Sequence, residues 1–178
     1  MVSLTVALLR GDMARDIRRA EPSDVPAIRS VAADAWHEAH APIIGTDTVA
    51  EFLAEYYDPA SFQDRIDHTA TILAVATDTE NTVVGYILAT PIDTDGTTFA
   101  LSQIYVVPDR WAEGIGQRLL DHVEQKSRDC GGERISLGVM AENDRAIGFY
   151  EAAGYNQTDE FYDDRIDAHS YTYEKALE

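Results

Sequence analysis

An α+β fold, with a mixed, mostly antiparallel sheet of about seven strands and helices on both faces, is the reading that the 178-residue sequence supports. Three observations carry it. Apolar residues recur at helical spacing over the first third of the chain. Period-two, β-rich runs separated by short polar turns then extend from Ala70 to Val107. Helical and β-rich stretches alternate again after a Gly-x-Gly turn at Gly114 and Gly116.

Each element has its own justification. Asp16 to Ala20 reads as a short first strand. Ser23 or Asp24 can cap a helix, with Pro26 tolerated in its first turn. Val25, Ile28, Val31, Ala32, Ala35 and Trp36 then fall on one face, and Pro42 is expected to stop the pattern. Asp47 to Tyr57 forms a second helix with Val49, Phe52, Leu53 and Tyr56 inward. Pro59 and Ser61 introduce a short third, with Phe62 and Ile66 inward. Ala70 to Ala76, Val83 to Thr90 and Thr98 to Val107 form an antiparallel meander, joined by the turns Asp78-Thr-Glu-Asn81 and Asp93-Thr-Asp-Gly96. Gly85 marks a bulge or a close approach of backbone. Ile115, Leu119, Leu120 and Val123 open a helix that ends before Gly131-Gly132. Ile135 to Val139 is a strand, Asn143 to Ala153 a helix stopped by Gly154, and strands near Tyr155 to Tyr162 and Ile166 to Tyr173 finish the sheet.

The chain has the length of one domain with a full core. Met13-Ala-Arg-Asp-Ile-Arg-Arg-Ala looks like a domain start, which leaves residues 1–12 as a candidate N-terminal extension ahead of a single domain over 13–178. No apolar run approaches a membrane span, and Leu4 to Leu9 is short with no basic segment before it, which argues against membrane insertion and a secretory signal. Cys130 stands alone, so no internal disulfide forms and a reducing, cytoplasmic setting fits. His37, His40, His68, His122 and His169 lack metal-ligand spacing, and no metal is expected.

Charge is lopsided: 32 acidic against 14 basic residues give a net charge of −18, and only Lys126 and Lys175 among the basic residues are lysine. Acids scattered along the whole chain suggest a solvated acidic shell of the kind that suits a halophilic organism. An acidic surface that draws cationic substrates is the other reading. No basic stripe exists for nucleic acid.

Two segments bear on chemistry. Val106-Val107-Pro108 closes a strand, and Trp111-Ala-Glu-Gly114-Ile-Gly116 leads into a helix. Glycines there let successive N–H groups turn toward one anion, and the helix adds its unpaired N-terminal N–H groups. A plain structural turn explains the same glycines. The second segment is Asn143, Ala146, Phe149-Tyr150 and Gly154-Tyr155. Taken together and in this order, the two resemble the GNAT superfamily of N-acetyltransferases. The first family signature reads Gln/Arg-x-x-Gly-x-Gly/Ala after a strand ending in Val-x-Pro, and Trp111 stands where that family has Gln or Arg. The second is matched in full.

The resemblance implies the GNAT fold, with two central strands splayed around acetyl-CoA as co-substrate. It implies that backbone groups of Ala112, Glu113, Gly114, Ile115, Gly116 and Gln117 hold the diphosphate. Glu113 puts a carboxylate where the family is often basic. A β-branched residue at Gly116 is expected to crowd that cradle and to oppose a positive φ. The strand edge at Ile104, Tyr105 and Val106 would pair with pantetheine amides, although alternating apolar residues also simply build core. Asn143 either caps its helix or contacts the cofactor. Tyr150 either packs on the buried helix face or, as the family motif implies, protonates the departing thiolate.

No carboxylate occupies Ala100-Leu-Ser-Gln103 or Leu137-Gly138-Val139, where the family often carries a glutamate base. Deprotonation of the amine is then left to ordered water or to His37, Glu38 or His40. The implied activity is direct acetyl transfer to a primary amine within one ternary complex, through a tetrahedral intermediate. The amine is expected to be a small molecule, in a pocket that Trp36, Phe52, Tyr56, Tyr57 and Phe62 could line, although core packing explains most of those aromatics equally well. Acetylation of a protein N-terminus, as in the ribosomal-protein branch, and acyl-CoA sensing without turnover are the alternatives. The expected assembly is a monomer or a homodimer.

Overall fold

The computed structural model of the protein describes residues 16–92, 94 and 96–178. The candidate extension at 1–12, the start at Met13 and two residues of the expected 93–96 turn lie outside them. The element order is β1 (Asp16–Arg19), α1 (Val25–Ile44), α2 (Thr46–Tyr56), α3 (Pro59–Asp67), β2 (Ile72–Thr77), β3 (Val83–Pro91), β4 (Thr98–Val106), α4 (Ile115–Asp129), β5 (Arg134–Met140), α5 (Asp144–Ala152), β6 (Asn156–Asp163) and β7 (Ala168–Ala176). Single 3₁₀ turns precede α1 and follow β4.

Seven strands form one sheet in the order β1-β2-β3-β4-β5-β7-β6. Every neighbouring pair is antiparallel except β4 and β5. Those two pair only through Thr98–Arg134, Phe99–Ile135 and Ala100–Ser136. The ladder stops there, consistent with strands that diverge. One face of the sheet packs on α4, through Ile115, Leu119, Leu120 and Val123, and on Tyr150 of α5. The other face packs on α1 to α3, through Ile28, Val31, Trp36, Val49, Phe52 and Phe62. The expected architecture therefore holds.

Two bulges set which residues face which layer. Ala76 pairs with Gly85 and Thr77 with Val83, so Val84 is an extra residue. A Cβ on Gly85 would stand 3.0 Å from the Tyr105 carbonyl oxygen and 3.2 Å from Leu119, so both readings of this glycine apply. In β4, Leu88 pairs with Gln103 and Ala89 with Leu101, leaving Ser102 unpaired. An extra residue inverts the alternation of a strand. Phe99 and Leu101 face α4 before the bulge, and Ile104 and Val106 do so after it. Tyr105 is thereby turned toward α1, and Gln103 accepts a hydrogen bond from the Tyr86 hydroxyl at 2.9 Å.

Two local expectations are corrected. Pro42 does not stop α1, which runs on to Ile44. A proline there forfeits one hydrogen bond in the last turn, and the stop comes at Gly45, with φ +88° and its N–H bonded to the Ala41 carbonyl at 2.9 Å. Asp24 precedes α1, yet its side chain caps nothing in that helix. Its carboxylate instead accepts from the Glu21 N–H at 2.8 Å and from Arg18 at 2.7 and 2.9 Å, tying β1 to the helix start. Arg18 holds the Asp24 carboxyl below the usual carboxylate range.

Candidate active site

A cavity of about 940 Å³ opens between the unpaired portions of β4 and β5 and continues to α1, α2 and the turn before β7. Its floor includes Ile104, Tyr105 and Val106 on one side and Gly138, Val139 and Met140 on the other. Past Ala100, β4 stays paired with β3 but has no β5 ladder partner, so the edge that faces β5 borders open space. A thin, amide-bearing chain could take up that pairing by strand addition.

The glycine turn lies at one end. Ala112, Gly114, Ile115, Gly116 and Gln117 line the cavity. Positive φ occurs at Ala112 (+65°) and Gly114 (+82°). Gly116 is not among the positive-φ residues, which corrects the backbone part of its expected role. A Cβ there would meet only the Phe149 ring, at 3.5 Å. The first hydrogen bond into α4 runs from the Arg118 N–H to the Gly114 carbonyl at 3.1 Å. The N–H groups of Ile115, Gly116 and Gln117 therefore have no intrahelical acceptor and are available to an anion.

Glu113 is absent from the described lining and its carboxylate faces Arg110 at 3.3 Å. Turned away and paired, it does not oppose an anion as a bare carboxylate would. Trp111 donates its Nε1–H to the Val106 carbonyl at 2.7 Å, pinning the turn to the end of β4. The Arg145 guanidinium stacks 4.2 Å over the Trp111 ring, so a cation borders the turn although the Gln/Arg position holds tryptophan.

Tyr150 and Asn143 stand on the α5 wall. Tyr150 packs edge-on against Phe149 and Tyr155 and is 7% exposed, so the core role holds, while its side chain also reaches the cavity. Burial pushes its phenol well above the ordinary tyrosine range, which keeps the proton on oxygen. Asn143 caps α5 by accepting from the Ala146 N–H at 3.2 Å, and its Nδ2 stands 3.5 Å from His40 Nε2.

The three expected base candidates separate. His37 and Glu38 are exposed, whereas His40 is buried on the cavity wall with its ring 4.2 Å from Trp36. Burial lowers His40 to about 4, so it is neutral at ordinary pH. Trp36, Phe52, Tyr56 and Tyr57 also line the cavity, whereas Phe62 is fully buried and is absent from the lining. Trp36 Nε1–H donates to the Tyr57 hydroxyl at 3.1 Å, and that hydroxyl donates to Tyr105 at 3.4 Å.

Several cavity residues escape a sequence reading, among them Arg65, Gln103, Arg145, Asp163 and Arg165. Arg165 donates to Asp163 at 2.6 and 2.9 Å and keeps its carboxyl below the usual range. Sheet order brings this pair to the cavity, because β7 lies between β5 and β6. In sequence, Asp163-Asp-Arg165 has only the look of a polar turn.

A profile of the Acetyltransferase (GNAT) family matches residues 30–155. The chain belongs to the GNAT acetyltransferase family. Among relatives of this GNAT chain, an uncharacterised N-acetyltransferase of Mycobacterium bovis is 29% identical over 134 residues, covering 75% of this chain and 83% of the relative. A mycothiol acetyltransferase of Propionibacterium freudenreichii is 30% identical over 128 residues, covering 70% of this chain, which spans 37% of that longer protein. The PaiA N-acetyltransferase of Thermoplasma acidophilum, solved with coenzyme A, superposes with a TM-score of 0.81 at 21% identity, covering 90% of this chain and 98% of that one. The ribosomal-protein-S18-alanine N-acetyltransferase of Escherichia coli does so with a TM-score of 0.68 at 19% identity, over 91% and 93%. These two structures share the GNAT fold. Among the described residues no helix is long and apolar enough to cross a membrane, and no group of three His, Cys, Asp or Glu could hold a metal.

Proposed function

We propose that the protein transfers an acetyl group from acetyl-CoA to the primary amine of a small molecule, directly and within one ternary complex. The observation that carries this reading is the placement of Tyr150 on the wall of one continuous cavity, with the glycine turn at one end and the aromatic pocket at the other. The residues fit the co-substrate. The free N–H groups at Ile115 to Gln117, bordered by Arg145, suit a diphosphate, and the edge of β4 at Ile104 to Val106 that faces β5 without a ladder partner suits the pantetheine amides.

In the transfer, the amine lone pair attacks the thioester carbonyl, the C–S bond breaks, and sulfur leaves with the bonding electrons. Tyr150 donates its proton to that sulfur and is reprotonated from water. The proton released by nitrogen passes to ordered water. His40 borders the route, but with a value near 4 it takes up a proton only fleetingly.

A small acceptor is favoured over a protein terminus at Gly138, where the ribosomal-protein branch resembles Leu-Glu-Val. Gly138 supplies no carboxylate there, and a Cβ on it would be in ordinary contact with the Phe161 ring at 3.4 Å. The lone, exposed Cys130 supports action in a reducing compartment such as the cytoplasm. Thiol release from acetyl-CoA across a panel of amines tests the reading. Rapid release with small amines supports it, and tight acetyl-CoA binding with no release from any amine or peptide leaves a sensing module instead.

A further inference from the structure

The acceptor end of the cavity contains an arginine with one nitrogen that no described residue satisfies. Arg65 of α3 lines the cavity, and its Nη1 is buried with no hydrogen-bond partner among the described residues. Its guanidinium lies 5.7 Å from the Phe62 ring centre, which supports the side chain but supplies no acceptor oxygen. Two of the other cavity arginines are ion-paired, and the third borders the glycine turn. Arg165 is paired with Asp163 at 2.6 Å, Arg110 with Asp78 and Glu113, and Arg145 is stacked on Trp111 beside the glycine turn.

A buried guanidinium N–H without an acceptor is costly, and native structures rarely leave one. The omission is sharper in a chain with 32 carboxylate side chains to draw on. Asp163 is the only carboxylate among the described lining residues, and Arg165 already occupies it. We infer that Arg65 receives a carboxylate of the acceptor, so that the substrate class is a small amine that also carries a carboxylate group, such as a free amino acid. This deepens the acetyl-transfer reading and rests on it for the identity of the amine end.

The chemistry selects carboxylate over phosphate. A planar guanidinium matches either group, but one positive charge balances one carboxylate and leaves a phosphate dianion half-compensated. The surrounding protein carries a net charge of −18, which opposes a second negative charge. The aromatic walls of Trp36, Phe52 and Tyr57 would hold the apolar part of such an acceptor.

The test compares free L-amino acids with their carboxamides, two sets that differ at the acid group alone. Calorimetry on the protein saturated with coenzyme A measures binding, and thiol release measures turnover. The expected result is roughly 10- to 100-fold preference for the carboxylate form, the range for a hydrogen bond to a charged group. Arg65→Gln should erase the preference by weakening the carboxylate form alone, with coenzyme A affinity unchanged. Arg65→Lys should keep part of it, because a point charge replaces the fork. Equal binding of both forms, binding of neither, or undiminished preference in a folded Arg65→Gln protein overturns the inference. Thiol release absent from every amine, with carboxylate preference intact by calorimetry, would instead sink the acetyl-transfer reading alone.

Discussion

One carboxamide joins α5 to α1 across the cavity: Asn143 accepts from the Ala146 N–H at 3.2 Å, and its Nδ2 approaches His40 Nε2 at 3.5 Å. The cap is therefore real, and the opposite end of the same side chain sits against a buried imidazole. His40 Nδ1 has no partner among the described residues, so protonating the ring would strand a charge in the interior.

That arrangement predicts a pH-dependent stability. The unfolded chain binds a proton near the ordinary histidine value of 6.5, while the folded chain does so only near 4. Stability should be complete above about pH 6.5, decline as the pH falls, and level off below about pH 4, a loss of about 3 kcal/mol from this group. Urea denaturation at pH 7 and pH 4 should show that excess loss in the parent relative to His40→Gln. Identical losses in the two proteins would mean that the ring is solvated or paired.

The two glycines of the turn should respond differently. Gly114 has φ +82° and open space around it, so Gly114→Ala meets no obstacle but strains the backbone by roughly 1–2 kcal/mol. Gly116 has no such φ, so Gly116→Val should fold and instead crowd the cradle, weakening acetyl-CoA binding about tenfold or more, equivalent to roughly 1.4 kcal/mol. Unchanged affinity in a folded Gly116→Val protein would remove the turn from the cofactor site.

Tyr150→Phe keeps the ring contacts with Phe149 and Tyr155 and deletes only the hydroxyl. Acetyl-CoA affinity should persist, while kcat and kcat/KM fall together by roughly 10²-fold, the usual worth of a general acid. Because burial raises the phenol, its deprotonation should contribute no alkaline limb to the parent's rate below the ordinary tyrosine range. Retained turnover under chemistry-limited conditions would assign the side chain to packing alone.

Potassium chloride should raise the melting temperature up to molar concentration. A net charge of −18 repels itself, and molar salt shortens the screening length to about 3 Å. A melting temperature that is flat or falling with salt would contradict the halophilic reading.

Lys175, one of two lysines, donates to both oxygens of Glu124 at 2.8 and 2.9 Å, and the Tyr155 hydroxyl donates to the same carboxylate at 3.2 Å. Glu124 is 5% exposed, so Lys175→Met strips a buried carboxylate of its main partner and should cost roughly 3 kcal/mol. Adding Glu124→Leu should recover much of that loss. A single variant as stable as its parent would mean that Arg128, 3.7 Å away, suffices.

Much of this architecture is legible in the sequence because period and punctuation agree. The meander from Ile72 to Val106 shows its short turns, and α4 and α5 are bracketed by Gly114 and Gly154, both at positive φ. Other features leave no local trace. The Ser102 bulge reverses the facing of Gln103 and Tyr105 through pairing with β3, which alternation in β4 alone does not reveal. Arg65, Asp163 and Arg165 meet the cavity only because sheet order folds distant segments over it. Side-chain direction is equally silent, as Glu113 shows by turning toward Arg110.

The ladder that ends at Ala100 and Ser136 has a further consequence. An unpaired strand edge on the outside of a protein invites another chain to add to it, and proteins blunt such edges to avoid fibrils. Here the bare edge is housed indoors, with helices to either side. Only a slender guest can thread in, so the hazard of templated aggregation becomes a filter on molecular width. Those amide hydrogens of Ile104 to Val106 that point away from β3 should exchange quickly in the free protein and slowly once such a guest lies beside them.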